Sequence, residues 1–221
     1  MIWSLPNILT LLRLFAAPAV AILFLYFARP IADWVALALF VLAAVTDFFD
    51  GYLARAWGQE SRFGAMVDPI ADKAMVIIAL LIITGLSGLN PWILLPATLI
   101  LFREVFVAGL REFLGATAGL LKVTKLAKWK TTAQMVAIAV LFAAGAFEHY
   151  YGVATRGLEP GAADAILAGD MADELGLRWR HYGMWLTWWV GTGLLWVAAL
   201  LTVMSGWDYF RKSLPYLKGP K

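Results

Sequence analysis

The sequence contains no cysteine, which excludes disulfide bonds, thiolate nucleophiles and cysteine-ligated metals. Charge is also scarce, because Asp, Glu, Lys and Arg together make up only 15% of the 221 residues. Soluble domains rarely have so few charges, whereas proteins with several membrane-spanning helices commonly do. Internal repeats, low-complexity tracts and a second domain are absent as well. We therefore expect a single membrane-embedded domain covering residues 1–221.

Apolar residues dominate what is present. They make up 62% of the chain, and eleven tryptophans fit the enrichment of this residue at membrane interfaces. The pattern predicts an all-α, polytopic membrane protein with six transmembrane helices. The predicted helices cover residues 7–27, 31–57, 63–84, 91–114, 129–147 and 182–207. We interpret the first as a membrane helix rather than a cleaved signal peptide.

The distribution of lysine and arginine predicts the topology. Arg55, Arg62, Lys73, the cluster between Lys122 and Lys130 and the basic C-terminal tail fall on one side. The loop at Arg29, the uncharged turn after Gly85 and an acid-rich segment at 148–181 fall on the other. The positive-inside rule then places both termini in the cytoplasm. Segment 148–181 is predicted to be a polar extracytoplasmic loop, with a short surface helix within residues 160–175.

Four aspartates flank the turn between the second and third predicted helices. Asp47 and Asp50 lie near the end of the second, and Asp68 and Asp72 near the start of the third. Near the bilayer centre, each unpaired aspartate would cost roughly 2.5–3.5 kcal/mol. One arginine cannot neutralise four carboxylates, so we expect a bound cation. Ligands that are all oxygen favour Mg²⁺ or Mn²⁺.

Small residues share the helix faces of these aspartates. At about 100° per residue, Gly51, Ala54 and Arg55 fall on the arc that carries the first pair, and Gly64 falls on the arc that carries the second. The missing glycine side chains would let a ligand or a backbone approach closely. Two antiparallel helices presenting these faces to each other would gather the four carboxylates around a small volume.

The whole pattern is Asp-x-x-Asp-Gly-x-x-Ala-Arg-x8-Gly-x-x-x-Asp-x-x-x-Asp over residues 47–72. It resembles the signature of the CDP-alcohol phosphatidyltransferases, and no position departs from it. The resemblance implies that two metal ions polarise the diphosphate of CDP-diacylglycerol and that CMP leaves. It also implies metal ligation by Asp47, Asp50, Asp68 and Asp72, with Asp72 as the general base. Spacing alone does not assign the base among the four.

The same resemblance implies a binding set for CDP-diacylglycerol. That set comprises Asp50, Gly51, Ala54, Arg55, Gly64, Asp68 and Thr10. Thr10 lies between Asn7 and Arg13 at a spacing of three, so the three residues share one part of the first helix. Two interpretations stay open for its neighbours. Either Asn7 caps the helix while Arg13 reaches the headgroups, or they contact the nucleotide or lipid diphosphate.

Cations near the predicted cytoplasmic ends of the fourth and fifth helices point to an anionic acceptor such as a phosphate ester. They are Arg103, Arg111, Lys128 and Lys130. The alternative is that they anchor the helices to lipid phosphates, which we favour for Lys122 and Lys125.

Further motifs resemble the bacterial branch of the family whose acceptor is sn-glycerol 3-phosphate. They lie within residues 6–13, 62–73, 103–112 and 128–135. The likeness covers most of residues 6–142 and is weak from Glu148 onward. It implies that phosphatidylglycerophosphate is formed in the bacterial cytoplasmic membrane, among membrane lipids, by a site facing the cytoplasm. It also implies a homodimer, and no nucleic-acid partner is expected.

Other interpretations remain at this point. Within the family, the acceptor could be phosphatidylglycerol, as in a cardiolipin synthase, or an inositol phosphate. In a different class, the aspartates could line a divalent-cation transport path. Against transport, the acids cluster toward one face, and the set Gly51, Ala54 and Arg55 has no role in conduction. A scaffold holding a structural ion is a third possibility.

Overall fold

The computed structural model describes the backbone of residues 4–56, 61–115 and 126–217, and the side chains of residues 4–46, 61–115 and 129–217. Seven α-helices and no strand occur in this part of the chain. The helices are α1 (Leu5–Tyr26), α2 (Ile31–Ala56), α3 (Arg62–Leu86), α4 (Pro91–Leu114), α5 (Leu126–Thr155), α6 (Ala162–Ala168) and α7 (Leu177–Leu217). The predicted all-α class is therefore confirmed for the described residues.

Five stretches are long and apolar enough to cross a membrane. They are α1, α3, α4, residues Trp129–Thr155 of α5, and α7. The apolar part of α2 within the searched residues, Ile31–Thr46, is shorter. Several apolar helices of this length indicate a membrane protein.

Helix boundaries agree with prediction where apolar runs end at turn residues. Pro91 begins α4 as predicted, Asn90 caps it by accepting the backbone N–H of Trp92, and Gly115 ends it at a φ of 51°. The polar segment 148–181 is different, because α5 continues to Thr155 and α7 already begins at Leu177. The prediction of a loop at both ends of this segment was therefore wrong. Hydropathy marks where a helix leaves the apolar phase, but not where its hydrogen bonding stops.

The described residues group into two compact units. The first comprises Met1–Ala79 and Ile138–Gly191, and the second comprises Leu80–Ala137 and Thr192–Lys221. In the first unit, Phe142 of α5 stacks on Phe24 of α1 at 6.0 Å between ring centroids and meets Phe40 of α2 edge-on at 6.2 Å. Phe40 and Phe142 are both buried. These rings hold α1, α2 and α5 together.

An ion pair at the start of α2 lies against α5 in the same unit. Arg29 donates two hydrogen bonds of 2.8 Å to Asp33, whose side chain is 1% exposed. These bonds raise the pKa of Arg29, while burial opposes them. Gly145 of α5 makes room for the pair, since a Cβ there would overlap Nη2 of Arg29 and lie 2.6 Å from Oδ1 of Asp33.

Replacing Gly145 with alanine should therefore destabilise the protein. The added methyl group displaces the guanidinium of Arg29 from the buried carboxylate of Asp33, and a buried group left without its partner costs about 1–3 kcal/mol. We expect the midpoint of thermal unfolding, followed by tryptophan fluorescence in detergent micelles, to fall in Gly145→Ala. Gly152→Ala on the same helix is the matched control, because a Cβ there meets no atom within 4 Å. Equal midpoints for the two variants would contradict this role.

A second apolar cluster lies where α5, α6 and α7 meet. It is formed by Ala154, Ile166 and Leu177. Asp173 caps α7 by accepting the backbone N–H groups of Arg178 at 3.0 Å and Leu177 at 2.5 Å. These two bonds lower the pKa of Asp173, and the bond from Arg178 has the larger effect. The predicted short surface helix corresponds to α6 within this cluster.

In the second unit, α4 runs alongside α7 in the same direction. The indole N–H of Trp196 donates to the carbonyl of Trp92 at 3.0 Å, and Phe106 meets Phe210 further along. Val107, Leu114 and Tyr209 form a small buried cluster at the far end of this contact.

Candidate active site

Two of the predicted aspartates face α1 within the first unit. Asp68 and Asp72 lie one turn apart on α3, and Thr10 and Arg13 lie three residues apart on α1. The hydroxyl of Thr10 donates to Oδ1 of Asp68 at 2.5 Å. Nη1 of Arg13 donates to Oδ1 of Asp72 at 3.0 Å, and its Nη2 lies 3.6 Å from Oδ1 of Asp68. One guanidinium thus reaches both carboxylates, which means that they converge.

The position of Arg13 answers a question that the sequence left open. Its side chain is 2% exposed and is directed at acids on α3, so of the two open interpretations the one in which Arg13 reaches the lipid headgroups is wrong. Asn7 is not the helix cap either, because the cap position is Ser4. Asn7, Thr10 and Arg13 form a buried polar face of α1. Their spacing of three was the signal in the sequence, but it did not identify the partner helix.

A second contact fixes the start of α3 against α1. The hydroxyl of Ser61 accepts the backbone N–H of Gly64 and donates to Oδ1 of Asn7, both at 2.9 Å. Ser61 is therefore the N-cap of α3 as well as a link to α1. A Cβ on the buried Gly64 would lie 2.8 Å from Oδ1 of Asn7. In the structure, the missing side chain of Gly64 makes room for this asparagine.

Gly64→Ala should lower turnover more than stability. The methyl group must push Asn7 aside, which weakens its bond to Ser61 and shifts Thr10 and Arg13 relative to Asp68 and Asp72. Because small displacements of catalytic groups are costly, we expect turnover to fall by about tenfold. The measurement is the initial rate of the reaction proposed below. Gly85→Ala, also on α3 and with no atom within 4 Å of a Cβ, is the control; equal loss in both variants would contradict the argument.

The donor chemistry of this pair fits a hard divalent cation, because carboxylate oxygens are the ligands that Mg²⁺ and Mn²⁺ prefer. The side chains of Asp68 and Asp72 are about half exposed, at 46% and 50%. Among the described side chains, no group of three potential metal ligands occurs. The backbone of α2 is helical through Ala56, as predicted. The side chains of Asp47, Asp50, Gly51, Ala54 and Arg55 on that helix lie outside the described residues.

Two of the predicted acceptor cations belong to a charged cluster in the second unit. Oε1 of Glu104 accepts from Nη1 of Arg103 at 3.1 Å and forms a close ion pair with Lys130 of α5. Nη2 of Arg103 donates to Ser205 of α7 at 3.3 Å, and the stem of Arg103 packs against Gly206. Both cations are thus mostly buried and held in place. The side chain of Lys128 lies outside the described residues.

The fourth predicted cation, Arg111, is exposed, and its guanidinium lies 5.4 Å from the ring centroid of Tyr209. Ser205 and Tyr209 show that α7 contacts both arginines of α4. These contacts could not be predicted from the sequence, since both residues lie in or beside an apolar run. A residue's own helix can be predicted from periodicity, whereas its neighbour across a helix pair cannot.

Comparison with known proteins identifies one family and several relatives of this chain. The family model for CDP-alcohol phosphatidyltransferase matches residues 3–204. A protein of Cereibacter sphaeroides named CDP-diacylglycerol–glycerol-3-phosphate 3-phosphatidyltransferase is 67% identical over 220 residues, which cover 99% of each chain. Proteins with the same name are 35% identical in Rickettsia bellii, over 96% of this chain and 97% of the relative, and 39% identical in Salmonella choleraesuis, over 69% and 84%.

The similarity therefore continues past Glu148, where the motifs predicted that it would weaken. Both the matched length and the signature at residues 47–72 lead to one assignment. The chain belongs to the CDP-alcohol phosphatidyltransferase family.

Proposed function

We propose that the chain transfers the phosphatidyl group of CDP-diacylglycerol to sn-glycerol 3-phosphate and releases CMP. The product is phosphatidylglycerophosphate. The main support for sn-glycerol 3-phosphate as the acceptor is the 67% identity, over nearly the whole of both chains, with a relative whose name states this reaction. The convergence of Asp68 and Asp72 beside Thr10 supports a site of the kind that this chemistry requires.

Asp47, Asp50, Asp68 and Asp72 would hold two divalent ions, Mg²⁺ or Mn²⁺. Bound metal would polarise the diphosphate and stabilise negative charge on the leaving oxygen. Around the CDP group, Gly51 and Ala54 leave space, and Arg55 contacts the diphosphate. Gly64 belongs to the same binding set because it lets Asn7 pack against the start of α3. Thr10 orients Asp68 through its hydrogen bond.

Asp72 acts as the general base. It takes the proton of the glycerol 3-phosphate hydroxyl, and the resulting oxygen attacks the phosphorus that bears the diacylglycerol. The bond from that phosphorus to the CMP oxygen breaks, and CMP leaves. Arg13 keeps one carboxylate oxygen of Asp72 in a fixed direction at 3.0 Å, so the base is oriented before the substrate arrives.

Arg103, Arg111, Lys128 and Lys130 bind the phosphate of the acceptor. Arginine suits this role because its planar donors match phosphate oxygens in pairs. The bond from Arg103 to Glu104 and the ion pair of Lys130 with the same carboxylate support a cationic pair of defined geometry rather than mobile anchors.

For the membrane arrangement, we propose six spans, with α2 as the sixth, and both termini in the cytoplasm. The positive-inside distribution of lysine and arginine supports this orientation. The enzyme would work as a homodimer in the bacterial cytoplasmic membrane, with its site open to the cytoplasm.

The proposal is tested with purified protein in lipid vesicles supplied with CDP-diacylglycerol, Mg²⁺ or Mn²⁺ and one acceptor at a time. We expect radiolabelled glycerol 3-phosphate to enter the lipid fraction as phosphatidylglycerophosphate, and chelation of metal to stop the reaction. Product from phosphatidylglycerol or an inositol phosphate alone would overturn the acceptor. Metal flux into vesicles without CDP-diacylglycerol would favour a transporter.

A further inference from the structure

Arg13 is a permanent positive charge inside the acidic site. Its side chain is 2% exposed, and it contacts carboxylates that the proposed function assigns to metal. The guanidinium group is protonated at any pH that the protein meets. Wherever the metal is absent, this cation therefore remains beside Asp68 and Asp72.

Two opposite effects follow from that position. A cation next to two carboxylates reduces their mutual repulsion and holds them together. The same charge opposes the arrival of a divalent cation. The competition also concerns particular atoms, because Oδ1 of Asp72 already accepts from Nη1 at 3.0 Å and Oδ1 of Asp68 lies 3.6 Å from Nη2.

We propose that Arg13 is a built-in counter-ion of the Asp68–Asp72 pair. It keeps the two carboxylates in place before metal binds, and it weakens the affinity of the site for metal. Arg13 is thus a positioning residue that also sets how tightly the divalent ion is held. The inference rests on the metal site of the proposed function, but it does not depend on the identity of the acceptor.

The test is a titration with Mn²⁺, followed by electron paramagnetic resonance, on purified metal-free protein without substrate. We expect Arg13→Met to bind Mn²⁺ more tightly than the wild type, by about tenfold, because a repelling unit charge is removed from the site. Arg13→Lys should stay within about threefold of the wild type, since its charge is retained. A residue that only stabilises the fold would not tighten metal binding when lost.

Thermal unfolding gives a second readout. Metal-free Arg13→Met should melt below the wild type, and saturating Mn²⁺ should raise its midpoint by more than it raises that of the wild type. If the methionine variant does not fold, Arg13→Gln serves as the neutral variant. Arg29→Met is the matched control for loss of an arginine that pairs with an aspartate. It breaks the pair with Asp33 and should lower the midpoint without changing the affinity for Mn²⁺.

The outcomes separate this inference from the proposed function. Unchanged or weaker Mn²⁺ binding in both neutral variants overturns the inference alone. Absence of Mn²⁺ binding in the wild type overturns the inference together with the proposed metal site. Failure of glycerol 3-phosphate as acceptor, with Mn²⁺ binding as expected, overturns the acceptor and supports the role of Arg13.

Discussion

Asp72→Asn should reduce phosphatidyl transfer by about 10²–10⁴-fold, the contribution that a positioned general base typically makes. The amide keeps the size of the carboxylate and can still accept the hydrogen bond of Arg13 through its oxygen. It cannot take the proton of the acceptor hydroxyl. The rate is measured as incorporation of labelled glycerol 3-phosphate, with Mn²⁺ and CDP-diacylglycerol binding measured separately. We expect both ligands to bind measurably in this variant.

The matched control for this substitution is Asp208→Asn. Asp208 is a partly exposed aspartate of α7 that pairs with Lys212 one turn later, at 2.6 Å. Its loss should leave turnover close to that of the wild type. Near-normal turnover in Asp72→Asn would remove Asp72 from the role of base and reopen the choice among the four aspartates.

Arg111→Ala should raise the KM for glycerol 3-phosphate by about 10- to 100-fold, the range expected when a hydrogen bond to a charged group is lost. The KM for CDP-diacylglycerol should change by less than about twofold, because a residue that holds only the acceptor does not act on the donor. The cation–π contact with Tyr209 orients the guanidinium and uses none of its N–H donors.

Steady-state kinetics with each substrate varied in turn make this comparison. Arg211→Ala on α7 is the control, since it removes another exposed arginine of the second unit. Equal increases in both KM values for Arg111→Ala would instead indicate an arginine that supports the structure.

Much of the fold follows from hydropathy. The bounds of α4 agree at both ends because Asn90, Pro91 and Gly115 are local signals that act within one turn. α5 and α7 extend further than predicted because their ends are polar and are stabilised by contacts distant in sequence. Arg180 of α7, which donates to the backbone carbonyl of Tyr150 on α5, makes one of these contacts.

In the site as well, features set by local spacing could be predicted, whereas contacts between helices could not. Helical spacing placed Asp68 and Asp72 on one face, and the structure confirms it through their shared contact with Arg13. Spacing could not identify Arg13 as their partner. Arg13 lies 59 positions before Asp72 on a different helix, and periodicity carries no information on which helices pair. Pairing of Glu104 with a neighbouring cation was an open possibility from the sequence, because Glu104 adjoins Arg103, but spacing could not indicate its second partner, Lys130.

Three glycines in the described helices have one property in common. Gly64 makes room for Asn7, Gly145 for Arg29 and Asp33, and Gly206 for Arg103. In each case a polar or ionic side chain occupies the volume that a Cβ would fill. Glycine usually weakens a helix by its conformational freedom. Here that cost is offset, because the space beside each glycine accommodates a polar or charged side chain that would be unfavourable in contact with lipid. The positions of these glycines therefore determine where polar and charged side chains pack against the helices.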